Sequence, residues 1–576
     1  MGVTVFTVDV TDRVRSHGRL DLLQRASTVI GSDLDLVQTA QELADLAVPD
    51  IADTVVVDIL ESVLRGGEPV PATAAGRAAE RVAFSSAETD GPDRRLVGEL
   101  NGLALLPAYA RTLTDLQPRL IRRMEQDGDW MLHDTERARR LIDAGVHSLL
   151  VVPLAARGVV IGVAGFYRWA NPAPFEEDDL TLLTEIAGRA ALYMDNARKY
   201  TREQAAARTL QRTLLPADLP SLSAVDAACA YVPSTQGGEW FDVIPLSGAR
   251  VALVVGVVKG SGIHAAAAMG GIRTAGLSLS ALDLAPDELL ARLNDMVVRF
   301  VEEAAYSTPT DYPMGDRPTG ATCAYAVYDP VSQRCTLALA GHTPPLLFSP
   351  GGDATPVTAF TGPPLGVSGA SYENTEIGLT DNSVLALYTE GLLTAAGHPP
   401  AQTLAQLERL ISHPNRSLRE TCEAVTEALV PARTDHDAVL LLARAHRLAA
   451  DHVASWTLPP ESEIVHTART LARQQLEAWG LQDIAFDTSL IVSELVTNAV
   501  VHASGPLQLR LILDRVLTCE VSDENSTAPH LRHARPADEG GRGLFIVANV
   551  TERWGTRYTE EGKTVWTEQK LPPSPG

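Results

Sequence analysis

A polar stripe runs along one face of an apolar segment near the carboxyl end of the chain. Glu494, Asn498 and His502 are spaced four residues apart, so on an α-helix they share one face. The residues between them are mostly apolar, which predicts that this helix lies in a core. A carboxylate and an amide on a buried helix cost free energy unless something pairs with them. Because Mg²⁺ prefers oxygen ligands, the stripe indicates a site for hydrated Mg²⁺ with nucleotide phosphates.

The segments that follow the stripe could complete such a site. Residues 507–513 and 516–522 predict a β-hairpin that ends on Asp523, where a carboxylate could accept a hydrogen bond from an adenine amino group. Residues 540–543 (Gly-Gly-Arg-Gly) predict a flexible lid whose backbone N–H groups can approach phosphates. The alternative is a structural polar helix followed by a glycine-rich turn.

These residues resemble the GHKL ATP-binding fold, and more narrowly the anti-sigma-factor serine kinases. The resemblance covers about 464–569, within a domain expected at 461–571, and includes the closing strand at 562–566. It departs at Asn525, where the family has a glycine, although Asn tolerates left-handed backbone angles better than most residues. The resemblance implies ATP and Mg²⁺ as cofactors. It assigns Glu494 as general base, Asn498 as the Mg²⁺ ligand, and Asp523, Gly541, Gly543 and Thr564 as contacts to ATP.

Length and composition limit the remaining possibilities. A chain of 576 residues is too long for one core and predicts roughly three or four domains. The net charge of −24, from 72 acidic and 48 basic residues, argues against a nucleic-acid surface and against attachment to an anionic membrane. The five cysteines show no metal-binding spacing, which is typical of a reducing cytosol. We see no signal peptide and no apolar run long enough to span a bilayer, so we expect a cytoplasmic protein.

The amino-terminal third predicts a sensor region. Residues 1–13 contain one alternating segment that resembles the last strand of a PAS domain, which indicates a chain that begins inside a longer gene product. A hairpin at 148–154 and 159–167, followed by the acidic helix start at 175–179, resembles a GAF domain over 18–197. GAF domains bind small molecules in some proteins and only dimerise in others. The sequence places no Cys or His pair for a haem or a bilin.

A long helix is predicted to leave the sensor at 178–215. Apolar residues recur there at alternating spacings of three and four, the pattern of a coiled-coil seam. This pattern favours a signalling helix that makes the chain a homodimer; the alternative is a terminal GAF helix that packs on its own sheet. The seam residues are Leu183, Ile186, Ala190, Tyr193, Ala197 and Tyr200.

Residues 208–446 resemble the stage II sporulation protein E-like branch of the PPM serine/threonine phosphatases. The motifs that carry the resemblance include Leu-Leu-Pro at 214–216, Gly-Gly-Glu-Trp-Phe-Asp-Val at 237–243, Gly-His-Thr-Pro-Pro-Leu at 341–346 and Leu-Tyr-Thr-Glu-Gly-Leu at 387–392. The resemblance implies an αββα sandwich in which aspartates hold two Mg²⁺ or Mn²⁺ ions that activate water. Residues 447–460 form the linker to the last domain.

The middle domain departs from the metal ligands of that family. Glu239 and Glu390 each replace an aspartate, which moves the carboxylate oxygens by one methylene. Val257 replaces a third aspartate and offers no ligand. His436 replaces the first residue of an Asp-Asp pair and leaves Asp437 alone. The sequence therefore predicts a pseudophosphatase.

An alternative remains for this cleft. Glu239, Asp242, Glu390 and Asp437 could together hold one weakly bound metal and retain residual phosphatase activity.

The predicted fold is a multidomain α/β (α+β) chain with a sensor, a phosphatase-like sandwich and an ATP-binding sandwich. This order resembles bacterial partner-switching regulators of sigma factors. The resemblance implies a kinase-like domain that phosphorylates a serine of a small STAS-type anti-sigma antagonist or binds a sigma factor directly. Two alternatives stay open: an active phosphatase opposed by its own kinase domain, and a non-enzymatic scaffold whose shape is set by ATP.

Overall fold

The structure divides into two compact units that meet in sequence at Ala205 and Ala206. It is a computed structural model that describes residues 21–64, 79–87, 100–101, 107–124, 141–234, 238–306, 319–395, 397–413, 416–431, 437–461, 463–502, 505–525, 543–559 and 562–572. The predicted PAS-like strand at 1–13 lies outside the described residues.

The first unit is built on one antiparallel sheet of six strands. The strand order is β3-β2-β1-β6-β5-β4, and the predicted hairpin is confirmed as β5 and β6. Helices α1 and α3 pack on this sheet. The strands are β1 (Thr54–Leu60), β2 (Ala79–Ser86), β3 (Leu100–Asn101), β4 (Arg119–Ile121), β5 (Ser148–Ala156) and β6 (Val159–Arg168), and the helices are α1 (Leu36–Ala47), α2 (Glu61–Leu64) and α3 (Pro107–Asp115).

The predicted long helix is continuous from Glu177 to Leu214 and is named α4. The seam residues Leu183, Ile186 and Ala190 are fully buried in the core of the first unit, and a Cβ on Gly31 would lie 2.5 Å from the ring of Tyr193. The first half of the predicted dimer seam is therefore used within the domain, because those side chains complete its core. That part of the coiled-coil prediction is wrong, and the alternative of a terminal GAF helix describes it.

The middle domain is a sandwich of two sheets between two layers of helices. One sheet has the order β14-β11-β10-β9-β8, with β15 also paired to β11, and is covered by α5 and α6. The other has the order β13-β12-β16-β17-β7 and is covered by α7 and α9. The four strands that apolar runs predicted, at 251–258, 322–328, 335–340 and 383–388, are confirmed as β9, β10, β11 and β16.

The strands and helices of the middle domain have the following bounds, given in chain order. The strands are β7 (Val225–Val232), β8 (Glu239–Pro245), β9 (Val251–Lys259), β10 (Gly320–Asp329), β11 (Arg334–Ala340), β12 (Leu346–Phe348), β13 (Ala354–Pro356), β14 (Thr361–Gly362), β15 (Thr375–Gly378), β16 (Val384–Tyr388) and β17 (Ala438–Ala445). The helices are α5 (Gly262–Ser280), α6 (Pro286–Tyr306), α7 (Glu390–Thr394), α8 (Pro400–Ile411) and α9 (Leu418–Leu429).

The C-terminal domain is a two-layer sandwich. Its five-stranded antiparallel sheet has the order β18-β19-β20-β22-β21, and the predicted hairpin is confirmed as β19 and β20. The segment 447–460, predicted to be a linker, contributes β18 at 453–458 to this sheet, so that prediction is wrong for these residues. Helices α10, α11 and α12 pack against this sheet. The strands are β18 (Val453–Leu458), β19 (Leu507–Leu513), β20 (Val516–Asp523), β21 (Arg553–Thr559) and β22 (Gly562–Lys570), and the helices are α10 (Ile464–Ala478), α11 (Ala485–His502) and α12 (Gly543–Val550).

One helix among the described residues is long and apolar enough to cross a membrane by length and composition. It comprises residues 482–502, so the prediction that no apolar run reaches that length is wrong on these two criteria. The same helix carries Ile491, Val492 and Leu495 in the core of the C-terminal domain, which accounts for its apolar composition.

Candidate functional site

The polar stripe on α11 lies at the boundary between the core and the surface. Glu494 and Asn498 are half-buried, one helical turn apart, while Leu495 and Ala499 beside them are buried in the core. His502, at the end of the helix, is exposed, and its backbone oxygen accepts a hydrogen bond from the side-chain amide of Asn525. The structure therefore keeps Glu494 and Asn498 together and leaves His502 with a structural contact.

Helix α12 begins directly against the stripe. A Cβ placed on Gly543, its first residue, would lie 2.3 Å from Oε2 of Glu494. Glycine permits this close approach because it has no side chain. A helix N-terminus presents free backbone N–H groups and a partial positive charge, which suits a carboxylate or a phosphate. The predicted lid residue Gly541 lies outside the described residues.

Asp523 ends β20 and is buried, with 7% of its surface exposed. Its Oδ1 accepts hydrogen bonds from the backbone N–H of Asn525 at 2.8 Å and from Nζ of Lys563 at 3.0 Å. The same Nζ also donates to the backbone oxygen of Asn525 at 2.8 Å. Asn525 therefore closes a turn on the aspartate, and the ammonium group compensates the buried charge.

Sequence reasoning did not identify Lys563. It lies opposite Asp523 in the pairing of β20 with β22, 40 residues further along the chain. The segment Gly-Lys-Thr at 562–564 was visible in the sequence, but the partner of the lysine depends on strand register. Only a register assignment for β22 could have found this pair.

Thr564 lies on the other face of the sheet from Asp523. It pairs with Ser522, and the two hydroxyl oxygens are 2.8 Å apart. Side chains alternate between the two faces of a strand, so Thr564 cannot share a face with Lys563 and Asp523. The structure does not bring Thr564 together with the other candidate nucleotide contacts.

A second group of acidic side chains lies in the middle domain, where β8 pairs with β9. Glu239, the first residue of β8, is paired with Val257 and is 4% exposed. Its Oε2 accepts a hydrogen bond from the hydroxyl of Thr389 at 2.9 Å. Burial, and then the charge of Asp437, raise the pKa of Glu239 well above its usual value. This favours a neutral carboxyl group, which is a poor ligand for a hard cation.

Asp242 is held by an arginine. Nε and Nη2 of Arg273, on α5, donate to its two carboxylate oxygens at 2.6 and 2.8 Å. Nη1 of the same guanidinium donates to the backbone oxygen of Leu214, the last residue of α4, at 2.7 Å. A two-pronged ion pair of this kind uses both oxygens of the aspartate.

Asp437 precedes β17 and is also satisfied by protein donors. Its Oδ2 accepts from the side-chain amide of Gln211 at 2.8 Å and from the hydroxyl of Tyr231 at 3.1 Å. Its Oδ1 accepts from the backbone N–H of Ser234 at 2.5 Å. Burial, and then Asp437, raise the pKa of Tyr231, so this phenol remains a donor at neutral pH. Three donors therefore surround a carboxylate that the sequence resemblance made a candidate metal ligand.

The remaining candidate ligands lie differently. A Cβ on Gly391 would lie 1.9 Å from the backbone oxygen of Asp437 and 3.0 Å from Oε1 of Glu239, so this glycine allows the close packing of the cleft. Glu390, the residue before it, is exposed at the start of α7. His436 lies outside the described residues.

A pair of divalent cations does not fit these side chains as they are arranged. Asp242 is ion-paired, Asp437 is hydrogen-bonded on both oxygens, and Val257 offers no ligand. Within the described ranges, which omit 432–436, no three His, Cys, Asp or Glu side chains form a group that could hold a metal ion. Sequence reasoning missed both Arg273 and Gln211, although Gln211 lies in the predicted helix three residues before Leu-Leu-Pro.

Three family models match the chain in the order of the three domains. The GAF domain model matches residues 36–194, and the model of Stage II sporulation protein E (SpoIIE) matches residues 247–446. The model of the Histidine kinase-like ATPase domain matches residues 458–568. The chain therefore joins a GAF domain, a SpoIIE-type phosphatase domain and a histidine kinase-like ATPase domain. The middle and C-terminal domains are named the SpoIIE-type domain and the ATPase domain below.

Several solved structures are similar to part of this chain. The RsbU and RsbW domains of Rv1364c from Mycobacterium tuberculosis are 23% identical, with 62% of this chain and 97% of that chain covered and a TM-score of 0.36. The phosphatase domain of SpoIIE from Bacillus subtilis is 14% identical, with 40% and 96% covered and a TM-score of 0.29. RsbX in complex with magnesium is 14% identical, with 40% and 98% covered and a TM-score of 0.31.

Proposed function

We propose that this chain is a partner-switching regulator whose ATPase domain is a protein serine kinase. Its substrate would be a serine hydroxyl on a small STAS-type anti-sigma antagonist, with direct binding of a sigma factor as the related possibility. The observation that carries the proposal is the half-buried pair Glu494 and Asn498, one turn apart on α11, with the N-terminus of α12 against Glu494. Homodimerisation and a cytoplasmic location remain predictions from the sequence.

The chemistry assigns a separate role to each side chain. The amide oxygen of Asn498 would be a ligand of Mg²⁺, which when bound neutralises phosphate charge. Glu494 would accept the proton of the incoming serine hydroxyl or orient that hydroxyl. The backbone N–H of Asn525 and Nζ of Lys563 both donate to Oδ1 of Asp523, so we assign Oδ2 to the adenine amino group. Phosphoryl transfer depends mainly on positioning and charge neutralisation, so this small set is sufficient.

Transfer of label from ATP tests the kinase activity. The full chain is incubated with Mg²⁺, ATP labelled on its γ-phosphate and STAS-type candidates, and we expect label on a serine of one of them. Glu494→Gln should reduce the transfer rate about 100-fold or more while ATP still binds, because a positioned base contributes roughly 100- to 10,000-fold. Glu477→Gln, an exposed glutamate on α10, is the matched control and should transfer normally.

Two outcomes would count against the kinase. Transfer at the normal rate by Glu494→Gln would remove that residue from the mechanism. Tight binding of ATP without transfer to any serine substrate would favour the ATP-set scaffold instead.

We also propose that the SpoIIE-type domain has impaired phosphatase activity. The ion pair of Asp242 with Arg273 and the three donors around Asp437 support this, because a metal would have to displace them. With Mn²⁺ and a phosphoserine protein, the chain should release no phosphate, and Val257→Asp combined with His436→Asp should restore some release. Rapid turnover by the unchanged chain that a chelator abolishes would show an active phosphatase.

A further inference from the structure

The sheet of the ATPase domain has two faces that the strand register distinguishes. Cys519 and Val521 belong to the face that packs against the helices. Their neighbour Glu520 points to the opposite face, where it pairs with Trp566, which in turn pairs with Gly555. The opposite face is called the open face here.

The centre of the open face is nevertheless buried. Glu520 and Trp566 are each 3% exposed. Thr518, also on β20, is 2% exposed, and its partner Ile512 on β19 is 1% exposed. A glutamate is almost never this buried unless it is paired. Some other part of the chain must therefore cover this face.

The cover is a turn of the SpoIIE-type domain. Residues 247–249 form a short 3₁₀ turn between β8 and β9 and lie against β20 and β22. A Cβ on Gly248 would lie 2.8 Å from Oε1 of Glu520 and 3.6 Å from Cδ1 of Ile512. Gly248 has φ of +65°, in the left-handed region. Both the backbone angle and the close approach favour glycine at this position.

Charged side chains from both domains surround this turn. Arg557 of the ATPase domain donates to Glu520 at 3.1 Å and to the hydroxyl of Ser247 at 3.4 Å. Arg250 of the SpoIIE-type domain donates to the same hydroxyl at 2.9 Å and forms an ion pair with Asp283 at 2.7 Å. These five residues, Ser247, Arg250, Asp283, Glu520 and Arg557, are called the interdomain cluster.

The charges of the cluster act across the domain boundary. Burial, and then the charge of Arg557, lower the pKa of Arg250. Burial lowers the pKa of Arg557, but Glu520 and then Asp283 raise it further, with a net rise. The two carboxylates, one from each domain, therefore compensate Arg250 and Arg557, which would otherwise repel each other in a buried position. Glu520 is also paired with Arg510 of its own domain, at 3.4 Å.

We propose that the open face of the ATPase sheet is a docking surface whose occupant is the 247–250 turn of the same chain. The interdomain cluster holds the two domains in one fixed arrangement, so the covered centre of this face is not available to another protein. Two features identify the 247–250 turn as the occupant: the complementary charges of the interdomain cluster, and the absence of a side chain at Gly248, where a Cβ would lie 2.8 Å from Oε1 of Glu520. The proposal does not depend on kinase activity.

Hydrogen exchange of the full chain tests the docking. Arg557→Glu places a third carboxylate beside Glu520 and Asp283, so the domains should separate. We expect the amides of 247–251 and of β20 to exchange at least tenfold faster, with the core of α11 unchanged. Arg473→Glu makes the same charge change on the exposed surface of α10 and should leave both segments protected.

A second variant approaches the contact from the other domain. Gly248→Asn keeps the left-handed backbone that asparagine tolerates, but its side chain would collide with Glu520. It should also accelerate exchange in β20, although no residue of the ATPase domain has changed. Gly369→Asn is its control, because Gly369 has φ of +71° and open space around it.

The two variants decide the proposal together. If Arg557→Glu loses protection throughout the ATPase domain, that variant has unfolded, and Gly248→Asn decides. Protection of β20 that is unchanged in Gly248→Asn overturns the docking. Faster exchange confined to the 247–251 turn itself also overturns it.

Discussion

Asn498 lies at the boundary between the core and the surface of the ATPase domain. Its amide lies half-buried one turn from Glu494, on a helix whose opposite face carries Ile491 and Leu495 into the core. An amide there satisfies a hard cation without adding charge, whereas an aspartate would add repulsion toward the phosphates.

We expect Asn498→Ala to raise the Kd for Mg²⁺-ATP about 100-fold, because a polar contact to a charged group contributes roughly 1.5–3 kcal/mol. Titration calorimetry measures the change. Asn549→Ala, at the exposed end of α12, is the control and should bind normally. Normal affinity in Asn498→Ala, with its fold intact, would show that the site assignment is wrong.

His342 offers a pH test that is independent of ATP. Burial lowers its pKa to about 4 from 6.5. Nδ1 lies 2.9 Å from the backbone oxygen of Thr343, and Nε2 is buried without a hydrogen-bond partner among the described residues. The neutral ring therefore suits this environment, with the proton on Nδ1 and none on Nε2.

The unfolded chain takes up a proton at this position near pH 6.5, while the folded chain does so only near pH 4. Stability is therefore complete above pH 6.5 and falls as the pH drops toward 4, by about 3 kcal/mol. His342→Asn keeps a donor near Nδ1 and removes the titration. Urea unfolding of both proteins at pH 7 and pH 4.5 should show the larger loss in the unchanged protein; equal losses would contradict this.

The C-terminal end of helix α4 forms part of the SpoIIE-type cleft. Gln211 donates to Asp437, and the last carbonyl of the helix, at Leu214, accepts from the arginine that holds Asp242. The final turn of this helix is thus a structural part of the cleft.

Gln211→Ala should destabilise the SpoIIE-type domain by about 2 kcal/mol, since Asp437 loses a buried donor. Thermal or urea unfolding measures the loss. Arg212→Ala changes the adjacent, exposed residue and should shift stability by no more than about 0.5 kcal/mol. Equal effects of the two substitutions would contradict a specific role for Gln211.

Strand β22 shows how one element serves two surfaces. Lys563 faces the helices and pairs with Asp523, while Thr564 faces the open side with Ser522. Adjacent residues in a strand point to opposite faces. Assigning the nucleotide contact to Thr564 instead of Lys563 therefore places it on the open face, away from the helices.

The two compact units are expected to respond differently to ATP. The candidate nucleotide site lies entirely in the second unit, 206–576. A ligand stabilises only the unit whose folded state binds it.

Mg²⁺-ATP at 100 times its Kd should stabilise the second unit by about 2.7 kcal/mol and leave the first unit unchanged. Calorimetric unfolding with and without ATP measures both transitions. Asn498→Ala should show no shift at the same concentration. An equal shift of both transitions would show that ATP acts outside the second unit.

Local sequence features were enough to predict the helix that carries Glu494 and Asn498, because a spacing of four residues places side chains on one face. The domain types and the αββα sandwich were implied by the resemblance of longer motifs to known families. The same resemblance implied that Val257 and Glu239 replace metal-binding aspartates, which stays a prediction.

The partners of the site residues, by contrast, depend on how the chain folds in three dimensions. Asp523 meets Lys563 across 40 residues, Asp242 meets Arg273 across 31, and Glu520 lies against Gly248 of another domain. Such contacts depend on strand register and domain packing, which local periodicity does not encode. The physical reason is that a buried charge requires a partner, but the chain can supply one from any distance in sequence.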